Sequence, residues 1–324
     1  MSATEQAARS TVSTTDSGPS STTPRRGALG WIAHHPLTAF LVLAFALAGL
    51  VMAVPILADH GVIASGWMPN LPGLDTERIA SVFLVFFALL PSVFLVTWAA
   101  DGRAGVQDLV RRMFKWRFGI GWWVLVLAAL PALTYVLARL FGDSPRPIDG
   151  VEFLLAQVSG LAVNLLLINI LEETAWSGFL QTRLQRSHGL VVAALLTAVP
   201  FALVHMPLHF IGDFSLSSLI TALITLLIVC AFVRTMLGLV LRGTGGSILA
   251  VAVMHTMFNR SNNDEGIVAG LVDGDGRKLA GLLAVIVVTV TVALVARYRH
   301  RRQAQRSAQA TQPVLTDSGI EGRP

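Results

Sequence analysis

Eight stretches of the chain are apolar over about the length of a membrane crossing, with polar or glycine-rich segments between them. A bilayer core takes about 20 residues of helix. The runs are Leu37–Leu57, Ile79–Ala100, Gly121–Phe141, Phe153–Leu171, Leu190–Leu208, Leu216–Leu237, Ser247–Phe258 and Leu279–Ala296. The seventh is the weakest, because about 12 apolar residues are marginal for a span. The pattern predicts an all-α fold: a polytopic membrane helical bundle of about eight transmembrane helices. Between the second and third runs, Val106, Leu109, Val110, Met113 and Phe114 recur at helical spacing among Arg111, Arg112 and Lys115. That spacing predicts an amphipathic helix over Val106–Phe118 lying at the interface rather than across it.

The flanks read differently. The first 24 residues are rich in Ser, Thr and Ala, with no apolar core of the kind a secretory leader carries. The expected organisation is a disordered cytoplasmic tail over 1–35 and a transmembrane domain over 36–300, with its chemistry concentrated in 150–262. A disordered basic and polar tail follows over 301–324.

Composition supports the bilayer. Of 324 residues 54% are hydrophobic and 13% charged, with mean hydropathy +0.66; soluble domains carry about 25% charged residues. The +5 formal charge has no basic-aromatic clustering behind it, so nucleic acid is not an expected partner; membrane lipids are. With eight crossings and a cytoplasmic N-terminus, 18 of the 24 basic residues, Arg183, Arg234 and Arg242 among them, fall on the cytoplasmic side. That bias predicts both termini inside; the expected location is the plasma or cytoplasmic membrane. The single cysteine, Cys230, sits in an apolar run and reads as a buried, inert thiol.

Ionisable residues inside apolar helices are costly, so each marks a candidate site. Glu172 and Glu173 end the fourth run. Adjacent helical residues point about 100° apart, so the two carboxylates serve different tasks: one facing a cavity as a base, the other pairing with a cation or helix end. His205 lies in the fifth run, with His209 one turn on and Pro207 between them. His255 and Asn259, at i and i+4, share a face of the seventh run, a pair suited to stabilising an oxyanion or holding a metal and a water. Gly243-Thr244-Gly245-Gly246-Ser247 before it reads as a turn ending in an N-cap at Ser247. An acid, a histidine, and a second histidine with an amide, on three helices, are the inventory for peptide hydrolysis in a membrane.

In order, Glu172-Glu173-Thr-Ala-Trp, Phe201-x-x-x-His205 and His255-x-x-x-Asn259 resemble the motifs of the CPBP intramembrane peptidases, which include CAAX prenyl endopeptidases and bacteriocin-processing and self-immunity proteins. The resemblance covers roughly 150–262. It implies an eight-helix bundle and an intramembrane endopeptidase acting on a membrane-associated peptide or lipidated protein tail. Glu172 would activate water with His205, His255 and Asn259 would stabilise the oxyanion, and Glu173 would support them. In the metallopeptidase version of the family's chemistry, Glu172, His205 and His255 would hold or adjoin zinc; the glutamate-dependent version needs none. One departure stands out. The family commonly carries Arg where this chain has Ser177, one turn after Glu173. Glu173 must therefore pair elsewhere, Arg183 being one candidate, or stay protonated. Two further readings compete: a non-catalytic self-immunity or interaction factor, and an ion-coupled transporter. Against the transporter, no inverted repeat is visible.

Overall fold

The computed structural model describes residues 27–64, 66, 76–212 and 215–310. They form nine helices: α1 Ala28–His34, α2 Pro36–Asp59, α3 Thr76–Met113, α4 Ile120–Leu140, α5 Gly150–Ser187, α6 Leu190–His205, α7 Leu216–Gly243, α8 Ile248–Asn262 and α9 Gly276–Ala310. A two-residue antiparallel pair, β1 Ser144–Pro145 with β2 Val272–Asp273, closes one end of the bundle. The molecule is an all-α polytopic membrane bundle.

Seven helices among the described residues, α2 to α7 and α9, are long and apolar enough to cross a membrane, α6 being extended to Phe210 by a 3₁₀ turn. The weak seventh run is a helix too, but α8 has 15 residues. That is about 22 Å of helix, short of a hydrocarbon core about 30 Å thick. Its surroundings explain how it sits there. α8 packs against α3, α4, α5, α7 and α9, and every residue from Ile248 to Met257 except Leu249 is buried. A helix enclosed by others meets protein rather than lipid, so neither its length nor its polar residues must match the bilayer. The outer helices show the opposite pattern: Ile220, Ile224 and Ile228, one turn apart along α7, are 50–54% exposed, a face suited to acyl chains.

Two helices are not regular, and sequence explains part of this. In α3 a π-helical stretch, Leu84–Leu89, precedes Pro91. Proline has no N–H and its ring crowds the preceding turn, so the ladder widens there. Farther on, Gly102 takes φ 68°, ψ −161° and breaks the helix. The segment beyond it is the predicted amphipathic helix, but it ends at Met113 rather than running to Phe118. Leu109 and Met113 face inward, while Val110 and Phe114 are exposed.

The tail expectations lie mostly outside the described residues. Where they overlap them, the chain is helical: 28–34 form α1, packed on α3, and 301–310 continue α9. Residues 301–310 are made largely of Ala, Arg and Gln, with good helix propensity, and continue a helix already nucleated; 28–34 have mixed propensity and are held by packing on α3.

Candidate active site

The site is built on α5, which is α-helical at Ile170–Glu173 and π-helical on either side, over Val163–Asn169 and Thr174–Gln181. π-turns are rare and collect at functional sites. The carbonyls around the second one are gathered from outside. Arg112, on the amphipathic segment of α3, donates from Nη1 to Gly178 O at 3.1 Å, from Nη2 to Thr182 Oγ1 at 3.0 Å and from Nε to Gly246 O at 2.9 Å. Thr182 in turn donates to Ser177 O at 2.7 Å. Lys115 donates to Gly245 O at 2.6 Å, and Ser247 caps α8 by accepting from Ala250 N at 3.1 Å, as its place after the glycine turn predicts. Gly245 and Gly246 have φ of 64° and 87°, which a side chain would strain. Arg112 of the amphipathic helix, with Lys115 just beyond its end, thus fastens α5 to the start of α8. Glycine at 178 allows the approach: a Cβ there would lie 2.6 Å from Ile248 Cδ1.

Glu172 and Glu173 are both buried, and as expected they face different partners. Glu172 Oε1 lies 3.3 Å from His205 Nε2, and its Oε2 lies 3.8 Å from His255 Nδ1. His205 Nδ1 donates to Phe201 O at 2.7 Å. A carbonyl can only accept, so Nδ1 carries a proton, and Nε2 is the nitrogen turned toward Glu172. Phe201, four residues earlier, stacks at 4.6 Å from the His205 ring and reaches His255 at 6.1 Å and Trp176 at 5.5 Å. This is the physical content of the Phe-x-x-x-His spacing: one turn of α6 supplies both the histidine and the surface it lies on.

Glu173 has no access to the cavity at all. Its Oε1 accepts from Arg234 Nη2 at 2.6 Å and from His255 Nδ1 at 2.7 Å; its Oε2 accepts from Arg234 Nη1 at 2.9 Å and from Ser177 Oγ at 2.5 Å. A carboxylate offers about four lone-pair sites, and all are taken. The partner suggested by sequence, Arg183, is elsewhere: it pairs with Asp101 and lies over Phe179. Arg234, counted above among the cytoplasmic charges, is enclosed by protein. It is 0% exposed, in the middle of α7, with its guanidinium 4.0 Å above the Phe201 ring. The signal was present in the sequence: an arginine with Cys230–Val233 before it and Met236–Leu241 after it, broken only by Gly238.

Asn259 donates to Asn169 Oδ1 at 3.5 Å, and Asn169 donates to Thr256 Oγ1 at 2.9 Å. Asn164 and Asn169, polar residues in the apolar part of α5, were not singled out from sequence. Glu172, His205, His255 and Asn259 line one cavity of about 750 Å³ together with both asparagines. Its apolar wall includes Leu226, Val229 and Val233 of α7, and its mouth carries Glu77, Arg78, Asp264 and Lys278. His209 is exposed and does not line it.

Residues 153–261 match the family model described as Type II CAAX prenyl endopeptidase Rce1-like. That supports a CPBP-type intramembrane peptidase. No curated protein matches the chain. The matched segment covers the π-turned part of α5, α6, α7 and nearly all of α8, and so contains Glu172, Glu173, Ser177, His205, Arg234, His255 and Asn259. With seven helices long and apolar enough to cross a membrane among the described residues, the chain is an integral, multi-pass membrane protein.

Ligand atoms of Glu172, Glu173 and His255 lie within 4.8 Å of one another, close enough for a metal ion. Glu173 does not fit that role, since its lone pairs are committed. The donors left are the Glu172 carboxylate, His205 Nε2 and His255 Nε2, a His₂Glu set of the type that zinc takes. Their second shell also fits: metal-bound histidines ordinarily donate their other N–H to a carbonyl or carboxylate, as His205 does to Phe201 O and His255 to Glu173.

Proposed function

We propose that this protein is an intramembrane endopeptidase that hydrolyses a peptide bond in a membrane-associated peptide or lipidated protein tail, using water activated by Glu172 and His205. The observation that carries the reading is the convergence of Glu172, His205, His255 and Asn259, from α5, α6 and α8, on one cavity. That cavity is polar at its mouth and apolar along α7, which suits a substrate with a peptide end and a lipid-soluble end.

In this reading Glu172 and His205 accept the proton of a water as its oxygen attacks the scissile carbonyl. The oxyanion forms against Asn259 Nδ2 and His255 Nε2. The proton then passes to the leaving nitrogen, giving a carboxylate and an amine. His255 adds a constraint of its own. Its Nδ1–H is spent on Glu173, so Nε2 donates to an oxyanion only when the ring carries both protons. With one proton, Nε2 offers a lone pair, which is what a metal takes. The glutamate-dependent and zinc-dependent accounts therefore differ by one proton on His255. Zinc on Glu172, His205 and His255 would supply a water activated near neutral pH.

The test is cleavage of fluorogenic membrane-anchored and prenylated peptides by the purified protein in detergent, with metal analysis and with or without chelator. Cleavage that survives chelation and disappears in Glu172→Gln supports the glutamate-dependent form. Loss of cleavage on chelation, restored by zinc, supports the metal form. Absence of cleavage across both peptide classes defeats the reading.

A further inference from the structure

We infer that Arg234 is a positioning residue of this site, a cation supplied from α7 that takes over the place one turn beyond Glu173 on α5. The inference rests on the peptidase reading for its kinetic arm, and on geometry alone for the rest. Ser177 and Arg234 approach the same carboxylate oxygen, Glu173 Oε2, at 2.5 and 2.9 Å. Position 177 is thus within reach of Glu173, and a guanidinium there would occupy the space Arg234 fills. Both positions are fully buried. A small residue at 177 and a large cation at 234 are therefore complementary: the volume given up on one helix is used by the other.

The consequence reaches the cavity through one further bond. Arg234 grips Glu173 with both terminal nitrogens, a bidentate pairing that fixes the carboxylate plane as well as its place. Held in that plane, Glu173 Oε1 accepts the Nδ1–H of His255, which fixes the ring and leaves Nε2 to the cavity. Arg234 also lies on the face of Phe201, the ring that supports His205. One side chain thus orients the surroundings of both histidines while touching neither the cavity nor a substrate; among the described residues lining the cavity, Arg234 is absent.

The test is a transfer of the cation. Arg234→Met should lower kcat by about a hundredfold with KM little changed, the size typical for the loss of a group that supports a reacting one. In ¹⁵N-histidine spectra it should also remove the His255 Nδ1–H signal, assigned by its absence in His255→Gln. The double variant Ser177→Arg/Arg234→Ser should restore that signal and at least a tenth of wild-type turnover. Arg234→Lys, which keeps the charge but not the bidentate grip, should fold even where Arg234→Met does not, and should retain the signal with turnover reduced about tenfold. A retained Nδ1–H signal and unchanged kcat in Arg234→Met would overturn the inference. So would a double variant no better than the single one, which is what a merely space-filling arginine predicts. If the wild-type protein cleaves nothing, the peptidase reading fails, and the spectra of the same variants still decide the role of Arg234.

Discussion

Glu172→Gln separates chemistry from folding at this site. The wild-type side chain presents Oε1 to His205 Nε2 at 3.3 Å, and the Nδ1–H of that ring is on Phe201 O. Carboxylate and ring nitrogen are thus both acceptors and need one shared proton, or a water, between them. Glutamine is the same size and brings an N–H₂ that donates directly to Nε2. The contact becomes an ordinary hydrogen bond, so stability should change by less than about 1 kcal/mol. The amide cannot take a proton from water. General-base assistance contributes about 10²–10⁴ in rate, or roughly 3–5 kcal/mol of barrier at about 1.4 kcal/mol per factor of ten. The expected outcome is a kcat reduced by at least a hundredfold, with an unshifted melting temperature in detergent and an unchanged elution profile. Single-turnover cleavage of a fluorogenic peptide, read beside nanoscale fluorimetry, measures both. Turnover above a tenth of wild type in a folded Glu172→Gln protein would refute the assignment of Glu172 as the base.

Asn259→Ala should lower kcat by about 10²–10³, as removal of one oxyanion donor does, and leave KM nearly constant; a change confined to KM would make Asn259 a substrate-positioning group. His205→Ala should abolish turnover while His209→Ala stays within a few-fold of wild type, because His209 is exposed and outside the cavity; equal losses in the cleavage assay would return both to one site. Ser177→Arg alone should be strongly destabilising, since Arg234 already fills the space beside Glu173 and the one lone pair Ser177 vacates cannot compensate a second buried guanidinium. Unpaired buried charge costs about 3–5 kcal/mol, read as a marked fall in melting temperature, and an unchanged value would show that the carboxylate can serve two cations.

Much of this molecule was legible in the sequence because the relevant signals are local. Apolar run lengths located all nine helices except α1, and the alternation of basic and apolar residues located the amphipathic segment after Gly102. Motif spacing picked out Glu172, His205, His255 and Asn259, which the structure brings to one cavity, since each motif is one turn of one helix and needs no knowledge of its neighbours. The short seventh run was doubtful on length, and its explanation is tertiary: α8 is enclosed by five helices, so bilayer thickness does not govern it. The π-turns around Glu172 and Glu173 were not legible, because nothing in Val163–Asn169 or Thr174–Gln181 plays the part that Pro91 plays in α3.

Arg234 is the instructive case. The family resemblance shows a cation missing one turn beyond Glu173, at Ser177, and leaves open whether Glu173 pairs elsewhere or stays protonated. Helical spacing identifies neighbours within a helix; it is silent on which residue of another helix fills such a gap. The charge bias draws attention away from the right candidate, because it counts Arg234 among the cytoplasmic charges although the sixth apolar run contains it. Yet an arginine between Val233 and Thr235, with apolar residues for several turns on both sides, could face neither lipid nor the cytoplasm at tolerable cost. It had to find an acid inside the bundle. Among the described residues only two acids are buried within the crossing helices, Glu172 and Glu173, and the first is turned to the cavity. The unmatched acid and the unmatched arginine in one apolar sequence therefore specify each other, and that contact fixes how α7 is rotated against α5.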